Sequence, residues 1–172
     1  TPRFIDRETY GGAKAIVENL LLEKHLKDGW PVTIFRPQAV FGPYDPWAIG
    51  FIYYRLINSM PIQLNINSKN RINPLYIVDL INAFITTINN KTCHGAVYGI
   101  AGDDIVTLKG LIKRCSENMM REPILNYLDT DDSANRIKNL SSYWLNHDQK
   151  TDCKKIKNDL GIKFTPINDG IR

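Results

Sequence analysis

Residues 10–14 read Tyr10-Gly11-Gly12-Ala13-Lys14 and open an apolar-periodic stretch of this 172-residue chain. Ala13, Ile16, Val17, Leu20, Leu21 and Leu26 recur at helical spacing, and Gly29 stands where a helix end takes a left-handed residue. Side chains four apart on a helix lie on one face, so the Tyr10 phenol and the Lys14 ammonium can reach one common point. That pairing suits a tyrosine working as acid or base. Bringing a phenol from its usual value near 10 to neutrality needs about 3 pKa units, or roughly 4 kcal/mol. One cation at about 5 Å and an effective dielectric of about 20 supplies roughly 3 kcal/mol of that. Two glycines in a first turn weaken the helix by about 1 kcal/mol each, which predicts a close neighbour there, either a cofactor or another helix.

Outward from this helix the pattern alternates between strand and helix signals, which predicts an α/β fold. Pro31 to Phe35 is a short β-branched run of the kind buried in a parallel sheet, with Arg36-Pro37 as its expected end. Pro43, Asp45 and Pro46 mark a loop, and a helix is expected from Trp47 to Asn58. Ile62 to Ile66 alternates weakly. Pro74 to Val78 reads as a strand, Asp79 as the N-cap of a helix with the stripe Leu80, Phe84, Ile88, and Val97 to Ile100 as a third strand. Thr107 caps a helix whose buried face is Leu108, Leu111, Ile112, Cys115 and Met119. Pro123 to Leu128 is a further strand, and Thr151 to Leu160 a last helix ended by Gly161. Between them Asp129 to Lys150 is polar, anchored only by Leu140, Tyr143, Trp144 and Leu145.

Composition narrows the function. The chain is 43% hydrophobic and 23% charged, and no apolar run approaches the roughly 20 residues needed to cross a bilayer. Thr1 to Glu8 has no signal-peptide pattern, and Cys93, Cys115 and Cys153 lie too far apart for a disulfide framework or a zinc site. These points predict a cytoplasmic protein with no membrane partner and no metal. The net charge is +4, and the basic residues Lys150, Lys154, Lys155, Lys157 and Lys163 carry no interleaved aromatics, so no nucleic acid partner is expected.

Several junctions together resemble the second half of the extended short-chain dehydrogenases/reductases, the NAD-dependent epimerase/dehydratase family. Tyr10 to Lys14 is similar to its catalytic motif, and Arg36 to Pro43 (RPQAVFGP) to its segment after the sixth strand. Pro74 to Leu80 (PLYIVDL), Gly95 to Gly102 (GAVYGIAG) with Val106 to Leu108, and Leu160 to Pro166 (LGIKFTP) resemble later junctions in the same order. The resemblance implies the C-terminal portion of a Rossmann-like doubly wound sheet plus a small mixed α/β substrate-binding subdomain. Residues 1–45 and 74–100 would form the sheet and catalytic helix, and 46–73 and 101–172 the substrate side.

The resemblance further implies a redox step on a secondary alcohol or ketone with NAD or NADP, NAD being favoured of the two. Tyr10 would be the general acid/base and Lys14 its partner, both touching the cofactor. Pro37, Gln38 and Val40 would contact the nicotinamide, and Ala39, Phe41 and Arg71 the small-molecule substrate. A homodimer through the Tyr10 helix is implied as well. No glycine-rich phosphate loop follows a strand in this sequence, so the resemblance implies an incomplete domain whose isolated chain is inactive. Ala39 replaces the family's common Asn, Ile72 and Asn73 replace its Arg-Asp pair, and Arg71 lies one residue early. A sugar nucleotide is the favoured substrate. An uncharged ketone or alcohol, as in the ketoreductase and sterol-dehydrogenase-like branch, and a non-catalytic binding or regulatory role are the alternatives.

Overall fold

The computed structural model describes residues 9–47, 49–65, 69–128 and 148–172. Leu140, Tyr143, Trp144 and Leu145, the expected anchor of the polar stretch, lie outside the described residues.

Helix α1 runs from Tyr10 to Asp28. Thr9 starts it by accepting the Gly12 N–H at 3.0 Å, and Gly29 ends it at φ 70°, its N–H donating to the His25 carbonyl. Strand β1 (Ile34–Pro37) follows and pairs in parallel with β6 (Val97–Ile100), Ile34 facing Val97 and Pro37 facing Ile100. Strand β2 (Val40–Phe41) pairs in parallel with β5 (Leu75–Tyr76), and α3 (Ile77–Thr87) makes the return to β6.

On the other side, α2 (Ile49–Ile57) and α4 (Leu108–Met119) pack beside a parallel pair, β3 (Ile62–Asn65) with β8 (Leu125–Leu128). A short antiparallel pair, β4 (Arg71–Ile72) with β7 (Val106–Thr107), lies before the start of α4, where Thr107 accepts the Gly110 N–H at 3.1 Å. Helices α5 (Lys154–Leu160) and α6 (Ile167–Gly170) close the described chain, α5 ending at Gly161 with φ 63°.

Two apolar clusters hold these elements. Leu75, Leu80, Ala83, Tyr98, Ile100 and Ile156 form one around β1 and β6; Ile52, Leu56, Ile62, Leu64, Leu111 and Ile112 form the other between α2, α4 and β3. Gly42 is required where they meet. At φ 155° a Cβ there would stand 2.3 Å from Ile77 Cγ2, inside the helix that follows β5.

Three local expectations are corrected. The first strand begins at Ile34 because the Val32 N–H turns back to the Trp30 carbonyl, at 2.9 Å. Pro37 closes that strand as expected: Ile34 and Gln38 donate to Ala96 and Ile100, so the missing proline N–H falls on the opposite edge. Helix α2 starts at Ile49 because Asp45 accepts the N–H groups of Trp47 at 2.7 Å and Gly50 at 3.1 Å. Asp79 is not an N-cap. It is buried in the first turn of α3, where Tyr76 holds the cap position, and its carboxylate accepts the Thr165 N–H at 2.8 Å and the Thr165 hydroxyl at 2.9 Å.

Candidate active site on the first helix

Tyr10 and Lys14 share one face of α1, as their spacing requires. The Lys14 Nζ lies 5.4 Å from the centroid of the Tyr10 ring, and the phenol is 81% exposed. Gly12 beside them is buried, whereas a Cβ on Gly11 would meet nothing within 4 Å, so no neighbour among the described residues demands that second glycine.

Helix α1 leads into β1 through a short turn and lies back along it. One contact fixes the level of the two: the Arg36 guanidinium grips both carboxylate oxygens of Glu18, Nε donating to one at 2.9 Å and Nη2 to the other. These hydrogen bonds hold the Arg36 guanidinium above its ordinary value. Tyr10 is eight residues before Glu18, about 12 Å further along the helix axis, and so stands beyond the carboxyl end of β1. Ligands of open parallel sheets bind at that edge.

The segment leaving β1 reaches the same edge. Pro37 is exposed, and Gln38, Ala39 and Val40 are half-buried. Their backbone is already engaged: Gln38 N–H donates to the Ile100 carbonyl at 2.9 Å, Ala39 N–H to its neighbour's Oε1 at 3.2 Å, and the Ala39 carbonyl accepts Leu75 N–H at 2.9 Å. The Gln38 amide also donates to the Gln149 carbonyl, joining this segment to the chain after residue 147. Tyr10 and Lys14, by contrast, are both exposed. In the Pro37–Val40 segment the Ala39 N–H is held only by a side chain.

Arg71 is exposed and already paired. Its Nε and Nη2 donate to Asp148 at 3.3 and 2.9 Å and its backbone N–H at 2.7 Å, which holds the Asp148 carboxyl below its ordinary value. Phe41, expected to line substrate, is 2% exposed and packs on Tyr76 in the core. It lies at the floor of an open pocket of about 360 Å³ shared with Gly42, Tyr44, Tyr53, Tyr76 and Arg172. Asn73 is buried and fully used, donating to the Gly102 and Thr151 carbonyls at 3.2 and 3.0 Å and accepting the Thr151 N–H at 3.1 Å.

The thiols offer no competing chemistry. All three cysteines are buried, and burial pushes Cys115 up to about 12. Among the described residues no three His, Cys, Asp or Glu side chains are grouped to hold a metal ion, and no helix is long and apolar enough to cross a membrane. Sequence reading missed Glu18 and Arg36 as a pair, although Glu18 is the third member of the stripe that starts with Tyr10 and Lys14.

The chain belongs to the NAD dependent epimerase/dehydratase family, whose sequence profile matches residues 1–101. Its fold is similar to the UDP-glucuronic acid 4-epimerase of Bacillus cereus, solved with UDP-glucuronic acid and NAD: TM-score 0.79 at 19% identity, over 99% of this chain and 52% of that one. It is similar also to DesIV, a dTDP-glucose 4,6-dehydratase of Streptomyces venezuelae solved with NAD: TM-score 0.75 at 18% identity, over 94% of this chain and 48% of that one. RMD of Pseudomonas aeruginosa, solved with NADPH, gives TM-score 0.74 at 17% identity, over 95% and 53% of the two chains. The chain thus spans about half the length of these structures. In sequence, it is 31% identical over 116 residues to the chloroplast stem-loop binding protein of 41 kDa b of Arabidopsis thaliana, covering 66% of this chain and 29% of that protein.

Proposed function

We propose that this chain supplies the proton-transfer and substrate-side part of a nicotinamide-dependent epimerase, dehydratase or reductase, with Tyr10 as the general acid/base. The observation that carries this reading is the exposed Tyr10 phenol with the Lys14 ammonium over its ring at 5.4 Å, beyond the carboxyl end of β1. Lys14 favours the phenolate by its charge and offers donors to a ribose hydroxyl. Tyr10 gives a proton to, or takes one from, the substrate oxygen. NAD or NADP, when bound against Tyr10, Lys14, Pro37, Gln38 and Val40, supplies or accepts the hydride.

The substrate we favour is a sugar nucleotide, by analogy with the two nucleotide-sugar enzymes to which the fold is similar. Ala39 stands at the edge that would face the sugar. Arg71 would grip the diphosphate by exchanging the Asp148 carboxylate for phosphate oxygens in the same two-pronged geometry. Ile16, Val17 and Leu20 on α1 are exposed, which supports pairing of α1 with a second copy. Binding and turnover would draw on a glycine-rich nucleotide-binding half of the kind such enzymes carry.

The name of the chloroplast relative raises a second reading, a stem-loop binder that has kept the fold. Charge weighs against it. Lys150, Lys154, Lys155 and Lys157 each face an aspartate, at Asp148, Asp152, Asp159 and Asp103, so the basic patch offers little free positive charge to phosphates. The deciding experiment joins the chain to a glycine-rich nucleotide-binding half and compares Tyr10→Phe with the unchanged protein. Turnover should fall by at least about 100-fold, the scale of general acid/base catalysis. Full turnover in the Phe variant would remove Tyr10 from the chemistry.

A further inference from the structure

Tyr10, Lys14 and Glu18 fall four residues apart, on one stripe of α1. A carboxylate one turn from a lysine ordinarily pairs with it, and such a pair would draw the Lys14 charge away from the phenol. In the structure Glu18 is turned elsewhere. Both of its oxygens are held by Arg36, and its side chain is only 16% exposed. Among the described residues Lys14 has no carboxylate partner and lies instead over the Tyr10 ring.

We propose that Arg36 is a positioning residue that holds Glu18 away from Lys14, leaving the lysine charge to serve Tyr10. The inference rests on the reading of Tyr10 and Lys14 as the proton-transfer pair. Arg36 never touches substrate or cofactor in this role.

The two duties of Arg36, a mechanical tie and a charge sink, make opposite forecasts for Glu18. If the pair only ties helix to strand, then Arg36→Gln, Glu18→Gln and the double variant all lose the tie and all suffer alike. If Arg36 acts as proposed, only Arg36→Gln suffers, because it alone frees a carboxylate to capture Lys14.

The experiment measures kcat, KM and the pH profile of kcat for these three variants and for Tyr10→Phe, in the chain joined to a glycine-rich nucleotide-binding half. Expected is a kcat about tenfold lower in Arg36→Gln, the size of one unit charge moved about 8 Å from a developing phenolate at intermediate dielectric. The limb of its pH profile that reports formation of the Tyr10 phenolate should move to higher pH, with KM for the dinucleotide little changed. Glu18→Gln and the double variant should retain the original kcat and profile. Equal losses in all three, or a double variant no better than Arg36→Gln, would overturn the proposal. An Arg36→Gln protein too unstable to assay is covered by the double: recovery of turnover there supports the charge role, and continued loss defeats it. Should Tyr10→Phe keep full activity, the fault lies with the active-site reading itself, since the comparison of Arg36 with Glu18 presupposes a loss at Tyr10.

Discussion

Helices α1 and α4 both carry apolar residues at helical spacing and meet different fates in the structure. In the 19 residues of α1 only Gly12 is buried, and Val17, Leu20 and Leu26 are 52%, 54% and 82% exposed. In the 12 residues of α4, Leu111, Ile112, Cys115 and Ser116 are all buried against α2 and the β3–β8 pair. An apolar stripe states that a helix wants a neighbour; it does not say whether that neighbour is in the same chain. Among the described residues, the helix that holds the proposed chemistry is therefore the less buried of the two, with the Glu18–Arg36 pair as a polar tie to β1.

The largest expected effect tests the closed side of that contrast. Leu111 is fully buried, so Leu111→Ala leaves a cavity in the cluster around α2 and α4 and should lower stability by about 2–5 kcal/mol. Denaturant titration gives the value from the shift in midpoint at constant m. A loss below about 1 kcal/mol would mean that this cluster is not the tight core its geometry indicates, and the contrast with α1 would dissolve.

What the sequence disclosed follows the same division between local and distant causes. The span of α1, its Gly29 end and the Thr107 cap of α4 were legible because each is fixed by residues within one turn. Asp79 was misread because its partner, Thr165, is 86 residues away. A carboxylate just after a strand looks like a helix cap until the segment it binds is in view. The end of β1 at Pro37 was legible, whereas which edge of β1 faces β6 is a property of the sheet, invisible along one strand. Within the candidate site, the Tyr10–Lys14 proximity was legible from spacing alone. The engagement of Arg71 by Asp148 and the burial of Phe41 were not, since both depend on contacts across the fold.

Asp79 supplies the middle-sized prediction, because it ties α3 to the segment that ends the described chain. Replacing it by Ala leaves the Thr165 N–H and hydroxyl without their acceptor, at about 1–3 kcal/mol for a buried group left unpaired. Asp79→Asn keeps one acceptor oxygen and should lose less. Hydrogen exchange separates the local effect from the global one: the Thr165 amide should lose protection in Asp79→Ala before amides of β6 do. Uniform loss across the chain would show that Asp79 supports the whole sheet-side cluster instead of one joint.

The smallest expected effect bears on the open side. Leu20 is 54% exposed, so truncation to Ala removes little buried surface and should change the stability of the monomer by no more than about 0.5 kcal/mol. The same substitution has a second, concentration-dependent consequence if α1 pairs with another copy, because a partner that binds only the folded state adds to apparent stability by mass action. Unfolding curves for Leu20→Ala and the unchanged chain should then coincide at high dilution and separate as concentration rises, with sedimentation showing the weaker dimer in the variant. Curves that stay together at every concentration would leave the exposed stripe of α1 without a second copy to cover it. Curves already separated at high dilution would place the neighbour of Leu20 within the chain, and the difference between α1 and α4 would become one of degree.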